Sequence, residues 1–114
     1  MDKLISEDAQ TGVFPELVTR IRQDGARVIL LGYLRTPGRS SPIENCRDEG
    51  DALDARLMRL AEGDTSVTFL PAADLVPYGD LSFHAVDRIH PSPKASRIIG
   101  GRVAEVIQSL PANR

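Results

Sequence analysis

The stretch Arg27-Val-Ile-Leu-Leu-Gly-Tyr33 decides the architecture of this chain. Its four consecutive apolar residues, two of them β-branched, stand between Gly25 and Gly32. A run this short and this continuously apolar predicts a strand buried on both faces, as in parallel sheets covered by helices. The residues before it agree. Phe14, Leu17, Val18 and Ile21 fall at i, i+3, i+4 and i+7, one helical face. Pro15 suits a first turn, where its missing N–H is no loss, and Gly25 suits the left-handed position after a helix end. The spacing predicts a helix over 13–24 and a strand over 27–33.

Outward from there the alternation continues. Leu34 to Arg47 carries Pro37, Gly38, Ser40, Ser41 and Pro42 and reads as a loop. A second helix is predicted over 48–62, with Leu53, Leu57, Leu60 and Ala61 on its apolar face and Gly63 ending it. Ser66-Val-Thr-Phe-Leu70 predicts a second strand, over 66–70. Residues 71–92 hold Pro71, Pro77, Gly79 and Pro91, a loop long enough to suggest function. Ser92-Pro93 opens a last helix over 93–110, with Ser92 as N-cap and Pro93 at the first helical position. Its apolar stripe is Ala95, Ile98, Ile99, Val103, Val106, Ile107 and Leu110. Gly100-Gly101 interrupts it at a cost of ~1 kcal/mol per glycine relative to Ala, so a close approach to a sheet is expected there. Residues 1–12 read as a poorly structured lead-in. With neither repeat nor linker in sight, residues 1–114 are expected to be a single α/β domain with a parallel sheet. Two strands are few where ~5–6 are usual, so the sheet is expected to be partial. Its open edge, apolar and without a protecting charge, predicts pairing with a second copy or with another chain.

Composition narrows the function classes. One hundred and fourteen residues suit one domain, since domains run ~100–200 residues. A hydrophobic fraction of 41% with a net charge of -2 argues against disorder. Fourteen basic residues scattered among sixteen acidic ones, with no Trp, give no nucleic-acid footprint. No apolar run approaches the ~20 residues of a membrane span. No signal peptide is visible, which leaves a cytoplasmic location as the default. A single cysteine, Cys46, excludes an internal disulfide and a four-cysteine zinc site.

The sharpest chemical feature is Asp87-Arg-Ile-His90-Pro-Ser92, at the end of the long loop and directly before the last helix. A carboxylate three residues before an imidazole can accept the Nδ1–H, fix the tautomer and leave Nε2 free to take a proton. His90 is then a candidate general base and Asp87 its orienting partner. The bland alternative is a surface Asp and a surface His. Other candidates are weaker. His84, Asp87 and His90 spell H-x-x-D-x-x-H, a possible Zn or Fe set, against which Pro91 and the loop composition weigh. Cys46, between Glu44 and Asp48, reads as a plain thiol rather than a nucleophile. Arg35, Arg39 and Arg47 could meet an anionic substrate group, and Asp74 and Asp80 could be acid/base carboxylates. A solvated loop is the simpler reading of each.

The Asp87-Arg-Ile-His90-Pro-Ser block followed by a C-terminal helix resembles the last conserved block of the SGNH (GDSL-type) hydrolases. The segment Gln23-Asp-Gly-Ala-Arg-Val-Ile-Leu-Leu-Gly32 is similar to that family's later helix-to-strand passage. The resemblance covers residues 13–110. It implies a three-layer α/β/α, flavodoxin-like fold and esterase- or lipase-like hydrolysis of a small-molecule ester by a Ser-His-Asp triad, without a cofactor. It assigns the triad's His and Asp to His90 and Asp87. The family's nucleophile, the Ser of a Gly-Asp-Ser block, has no counterpart here, because Gly79-Asp80-Leu81-Ser82 has neither its order nor its place. The Gly-x-Asn-Asp block that supplies the oxyanion hole is also missing, and neither Asn45 nor Asn113 fits. The implied chain is the C-terminal half of such a hydrolase, pairing with a chain that carries the N-terminal half. A non-catalytic fragment or interaction module of the same fold is the alternative.

Overall fold

The computed structural model of the protein describes residues 1–111. The described residues form two compact units: Met1–Gly32 with Ala52–Leu70, and Tyr33–Asp51 with Pro71–Leu110.

The first unit is built from α1 (Val13–Gln23), β1 (Val28–Leu31), the body of α2 (Arg47–Glu62) and β2 (Val67–Leu70). Helix α1 ends as its glycine predicts. Gly25 takes φ 80° and its N–H donates to the Arg22 carbonyl at 2.9 Å. The two strands pair in parallel, in register from Val28↔Val67 to Leu31↔Leu70. A parallel pair needs a crossover between its strands, and α2 lies in that connection. The chain therefore has mixed α/β character with a small parallel sheet. Side chains alternate along a strand, so Val28, Leu30 and Val67 share a face. On that face they form one core with Val18 of α1, Leu57 of α2, Ile5 and Ala9.

Three expectations change here. The apolar run of β1 is not buried on both faces. Val28 and Leu30 are buried, but Ile29 is only partly covered and Leu31 is 46% exposed. The face of α1 is rotated toward Pro15 and Val18, which leaves Leu17 51% exposed. Residues 1–12, read as a loose lead-in, are tied down. Ile5 is fully buried and Ala9 nearly so. The Ser6 hydroxyl accepts the N–H groups of Gln10 and Thr11 at 3.1 and 3.0 Å, and Phe14 N–H donates to the Leu4 carbonyl at 2.9 Å. Arg56 of α2 donates to the Ile5 carbonyl at 2.9 Å and to Asp2 at 2.6 Å. Gly12 completes the turn at φ 120°, and a Cβ there would lie 2.6 Å from the Leu4 oxygen.

The second unit carries short 3-10 turns at Glu44–Cys46, Ala73–Leu75 and Leu81–Phe83, and then α3 (Pro93–Ser109). Val76, Phe83 and Ala95 form its core, with Leu34, Leu75 and Ile98 packed against them. Ser92 caps α3 as expected, its hydroxyl accepting the Ala95 N–H at 3.2 Å. The expected reason for Gly100-Gly101 does not hold. A Cβ at either position would meet nothing within 4 Å, so no close approach calls for the glycines. Of the α3 stripe only Ala95 is buried, and Ile107 is 58% exposed. Among the described residues no helix is long and apolar enough to cross a membrane.

Ile5→Ala is expected to lower the free energy of unfolding by about 2–5 kcal/mol, the range for truncating a buried aliphatic side chain. Leu17→Ala, at a half-exposed position, is expected to stay within about 0.5 kcal/mol of wild type. Urea titrations of the two variants check this. Equal, small effects would show that residues 1–12 lie outside the core.

Candidate functional site

Asp87 and His90 sit in a short hairpin of the second unit. His84 and Pro91 form an antiparallel bridge at its base. Inside it Ala85 N–H donates to the His90 carbonyl at 2.8 Å, and Arg88 N–H to the Ala85 carbonyl at 2.9 Å. The turn closes because Arg88 takes a left-handed conformation, φ 62°. That conformation costs an ordinary L-residue roughly 1–2 kcal/mol, so the surroundings must hold it. The holding contacts are local and distant. The Asp87 Oδ1 accepts the N–H groups of Ile89 at 2.9 Å and His90 at 3.1 Å. The buried Ser41 hydroxyl donates to the Arg88 carbonyl at 2.9 Å. At the hairpin's exit Ser92 N–H donates to the Phe83 carbonyl at 3.0 Å and its hydroxyl to the Ser82 carbonyl at 2.7 Å. The cap of α3 thus also fixes the hairpin's base.

This backbone brings the second oxygen of Asp87, Oδ2, to 2.5 Å from His90 Nδ1. The carboxyl is held at about 2, below its ordinary 3.8, first by the Ile89 N–H, then by the His90 ring and the His90 N–H. It is therefore ionised at neutral pH and can only accept a hydrogen bond. Nδ1 carries the proton in the neutral ring, and Nε2 keeps its lone pair. The His90 side chain is 75% exposed, so that nitrogen is open to an incoming group. Because both partners face solvent, the contact adds little to stability; its effect is on orientation and tautomer.

The other candidates are placed differently. His84 does not join a metal set. It is buried, its ring bonded to the backbone of Arg35, its Nδ1 without a partner, and burial pushes its pKa down. Among the described residues no three His, Cys, Asp or Glu side chains are arranged to hold an ion. Arg35 is spent on Asp51, through a two-pronged contact at 3.1 and 2.9 Å. Arg47 is spent on Glu44 at 3.0 Å and on the Thr36 carbonyl at 2.9 Å. Neither is a free cation for a substrate anion, and Arg39 stands exposed. Asp74 pairs with Arg102 at 3.1 Å. Asp80 caps the turn at Leu81–Phe83, accepting the Ser82 N–H at 2.9 Å and its hydroxyl at 2.6 Å. Ser82 also accepts a hydrogen bond from Lys94 at 2.7 Å, so its hydroxyl is tied to Asp80 and Lys94. Cys46 is exposed, 3.8 Å from the Asn45 side-chain oxygen. Asn113 lies outside the described residues.

Two side chains of this unit have roles that their sequence context does not show. Ser41 reads as a loop former, yet its hydroxyl holds the Arg88 carbonyl. Tyr33 reads as the end of a strand, yet its hydroxyl donates to Asp51 at 3.0 Å and its ring lies against Gly50, where a Cβ would come within 2.4 Å of it. A glycine in the first turns of a helix that needs no glycine for its backbone was the available signal.

The acid titration of Asp87 follows from this geometry. The folded pKa is the lower one, so ionised Asp87 stabilises the fold fully above 3.8, and that contribution is lost as the pH falls toward about 2. NMR titration of the Asp87 carboxyl is expected to give a midpoint near 2, and Asp87→Asn to remove part of the acid destabilisation in that window. A midpoint of 3.8 or higher would mean that the two N–H groups do not hold the carboxylate in solution. Comparison of the chain with protein-family models, with curated proteins and with solved structures returns no match.

Proposed function

We propose that this chain is the base-bearing part of an SGNH-type hydrolase that cleaves small-molecule acyl esters on a partial three-layer α/β/α fold. The observation that carries the reading is the Asp87 Oδ2–His90 Nδ1 contact of 2.5 Å, with the opposite ring nitrogen facing solvent. In this reading His90 Nε2 takes the hydroxyl proton of a serine as its oxygen bonds to the ester carbonyl carbon. The proton then passes to the leaving alkoxide as the ester C–O bond breaks. Water repeats the cycle on the acyl-serine, with His90 again the base, and releases the carboxylic acid. Asp87 stabilises the imidazolium formed in each half-reaction and stays ionised throughout. The serine and the oxyanion donors are supplied by a segment or chain carrying the Gly-Asp-Ser block.

The proposal includes assembly. Val28 N–H donates to the Ser66 carbonyl at 3.0 Å and Gly32 N–H to the Leu70 carbonyl at 2.8 Å. By strand alternation Ile29 and Leu31 direct their backbone groups to the opposite edge. We propose that this edge pairs with the strands of the N-terminal half or with a second copy. A second functional reading, a non-catalytic module of the same fold, is favoured by one observation. Among the described residues no serine hydroxyl is bonded to His90, and Ser82 is committed to Asp80 and Lys94.

Hydrolysis of a short-chain p-nitrophenyl ester separates these readings. Residues 1–114 alone are expected to give background rates. The assembly with a Gly-Asp-Ser-bearing partner, larger by light scattering than one 12.4 kDa chain, is expected to turn over. His90→Ala should lower that turnover more than about a thousandfold. Turnover within a few-fold of wild type in His90→Ala would reject His90 as the base. Robust turnover by the chain alone, abolished by a serine-directed phosphonate, would place the nucleophile among its own serines. Silence of every assembly would favour the non-catalytic module.

A further inference from the structure

The peptide plane between Arg88 and Ile89 is held at both of its ends. Its carbonyl oxygen accepts the Ser41 hydroxyl at 2.9 Å, and its N–H donates to Asp87 Oδ1 at 2.9 Å. Ser41 is itself rigidly placed. It is only 6% exposed, its N–H donates to the Gly38 carbonyl at 2.9 Å, and its hydroxyl oxygen accepts the Ile43 N–H at 3.3 Å. The Arg88 guanidinium adds a longer contact, 3.4 Å, to the Ser40 carbonyl.

We infer that Ser41 is a positioning residue for the Asp87–His90 pair: by holding the Arg88 carbonyl it keeps the Arg88–Ile89 peptide from rotating. A return of Arg88 to a negative φ, which L-residues prefer, rotates about its N–Cα bond and swings that plane, pulling its carbonyl off Ser41. The same rotation would carry the Ile89 N–H away from Asp87 Oδ1. The carboxylate would lose one of its two backbone donors and, with it, the orientation that presents Oδ2 to His90 Nδ1. A hydroxyl distant in sequence therefore decides whether the imidazole is held in one tautomer. The inference rests on the proposed role of His90 only for its functional meaning; the coupling itself is a property of the hairpin.

The test is the pair of 15N chemical shifts of the His90 ring nitrogens in residues 1–114, at a pH where the ring is uncharged, with circular dichroism reporting the fold. Wild type and Ser41→Thr, which keeps the hydroxyl, are expected to show the single-tautomer signal, a pyrrole-type Nδ1 and a pyridine-type Nε2. Folded Ser41→Ala is expected to lose it to a mixture of tautomers. In an Arg88→Gly background the left-handed conformation carries no strain. Ser41→Ala is expected to retain the signal there, and this arm decides the matter if Ser41→Ala alone does not fold. An unchanged signal in folded Ser41→Ala, or its loss in the Arg88→Gly background, would overturn the inference. If the signal follows Ser41 while every assembly is inactive on esters, the hydrolase reading fails and the positioning role stands. If esters are cleaved while the signal ignores Ser41, the reverse holds.

Discussion

One carboxylate organises the hairpin at 84–91. Asp87 accepts two backbone N–H groups through one oxygen and the His90 ring through the other. All three donors lie within three residues of it, so the arrangement depends on the backbone between them, and that backbone turns through a left-handed arginine. The exposed pair cannot supply the energy that holds this turn. The holding comes from around it: the Phe83–Ala95 core and the Ser92 cap at the base, and the Ser41 hydroxyl at the tip. Orientation of the imidazole is thus a product of buried, ordinary contacts, while most of the ring stands in solvent.

What the sequence made legible is what depends on local pattern. Helix ends followed from Gly25, Gly63 and Ser92, and strands from short apolar runs, because caps and periodicity act within a few residues. The D-x-x-H spacing was readable for the same reason, since Asp87 and His90 meet within one turn. On α1, Leu17 and Pro15 flank the same stripe, and only the position of the sheet decides that Pro15 is the one buried. The run at 28–31 could not reveal that its second face is half open, because an apolar side chain looks the same in sequence whether or not anything covers it.

The remaining features depend on distant partners. Leu4-Ile5 and Ala9 are set among polar residues without a helical or strand period, yet Arg56 and the Ser6 turn carry Ile5 and Ala9 into the core. Arg35 and Arg47 looked like free cations because Asp51 and the Thr36 carbonyl become their partners only on folding. Ser41 and Arg88 are 47 residues apart, and nothing in either neighbourhood announces the bond between them. The glycines at 100–101 still have no structural account, since open space surrounds both positions.

An ionised Asp87 holds the neutral His90 ring in a single tautomer. The 15N chemical shifts of its two ring nitrogens, recorded at a pH where the imidazole is uncharged, report that tautomer. A protonated, pyrrole-type Nδ1 and an unprotonated, pyridine-type Nε2 are expected, with Asp87→Asn shifting the ring toward a mixture. A mixed or reversed pattern in the wild-type chain would show that the carboxylate does not hold the ring.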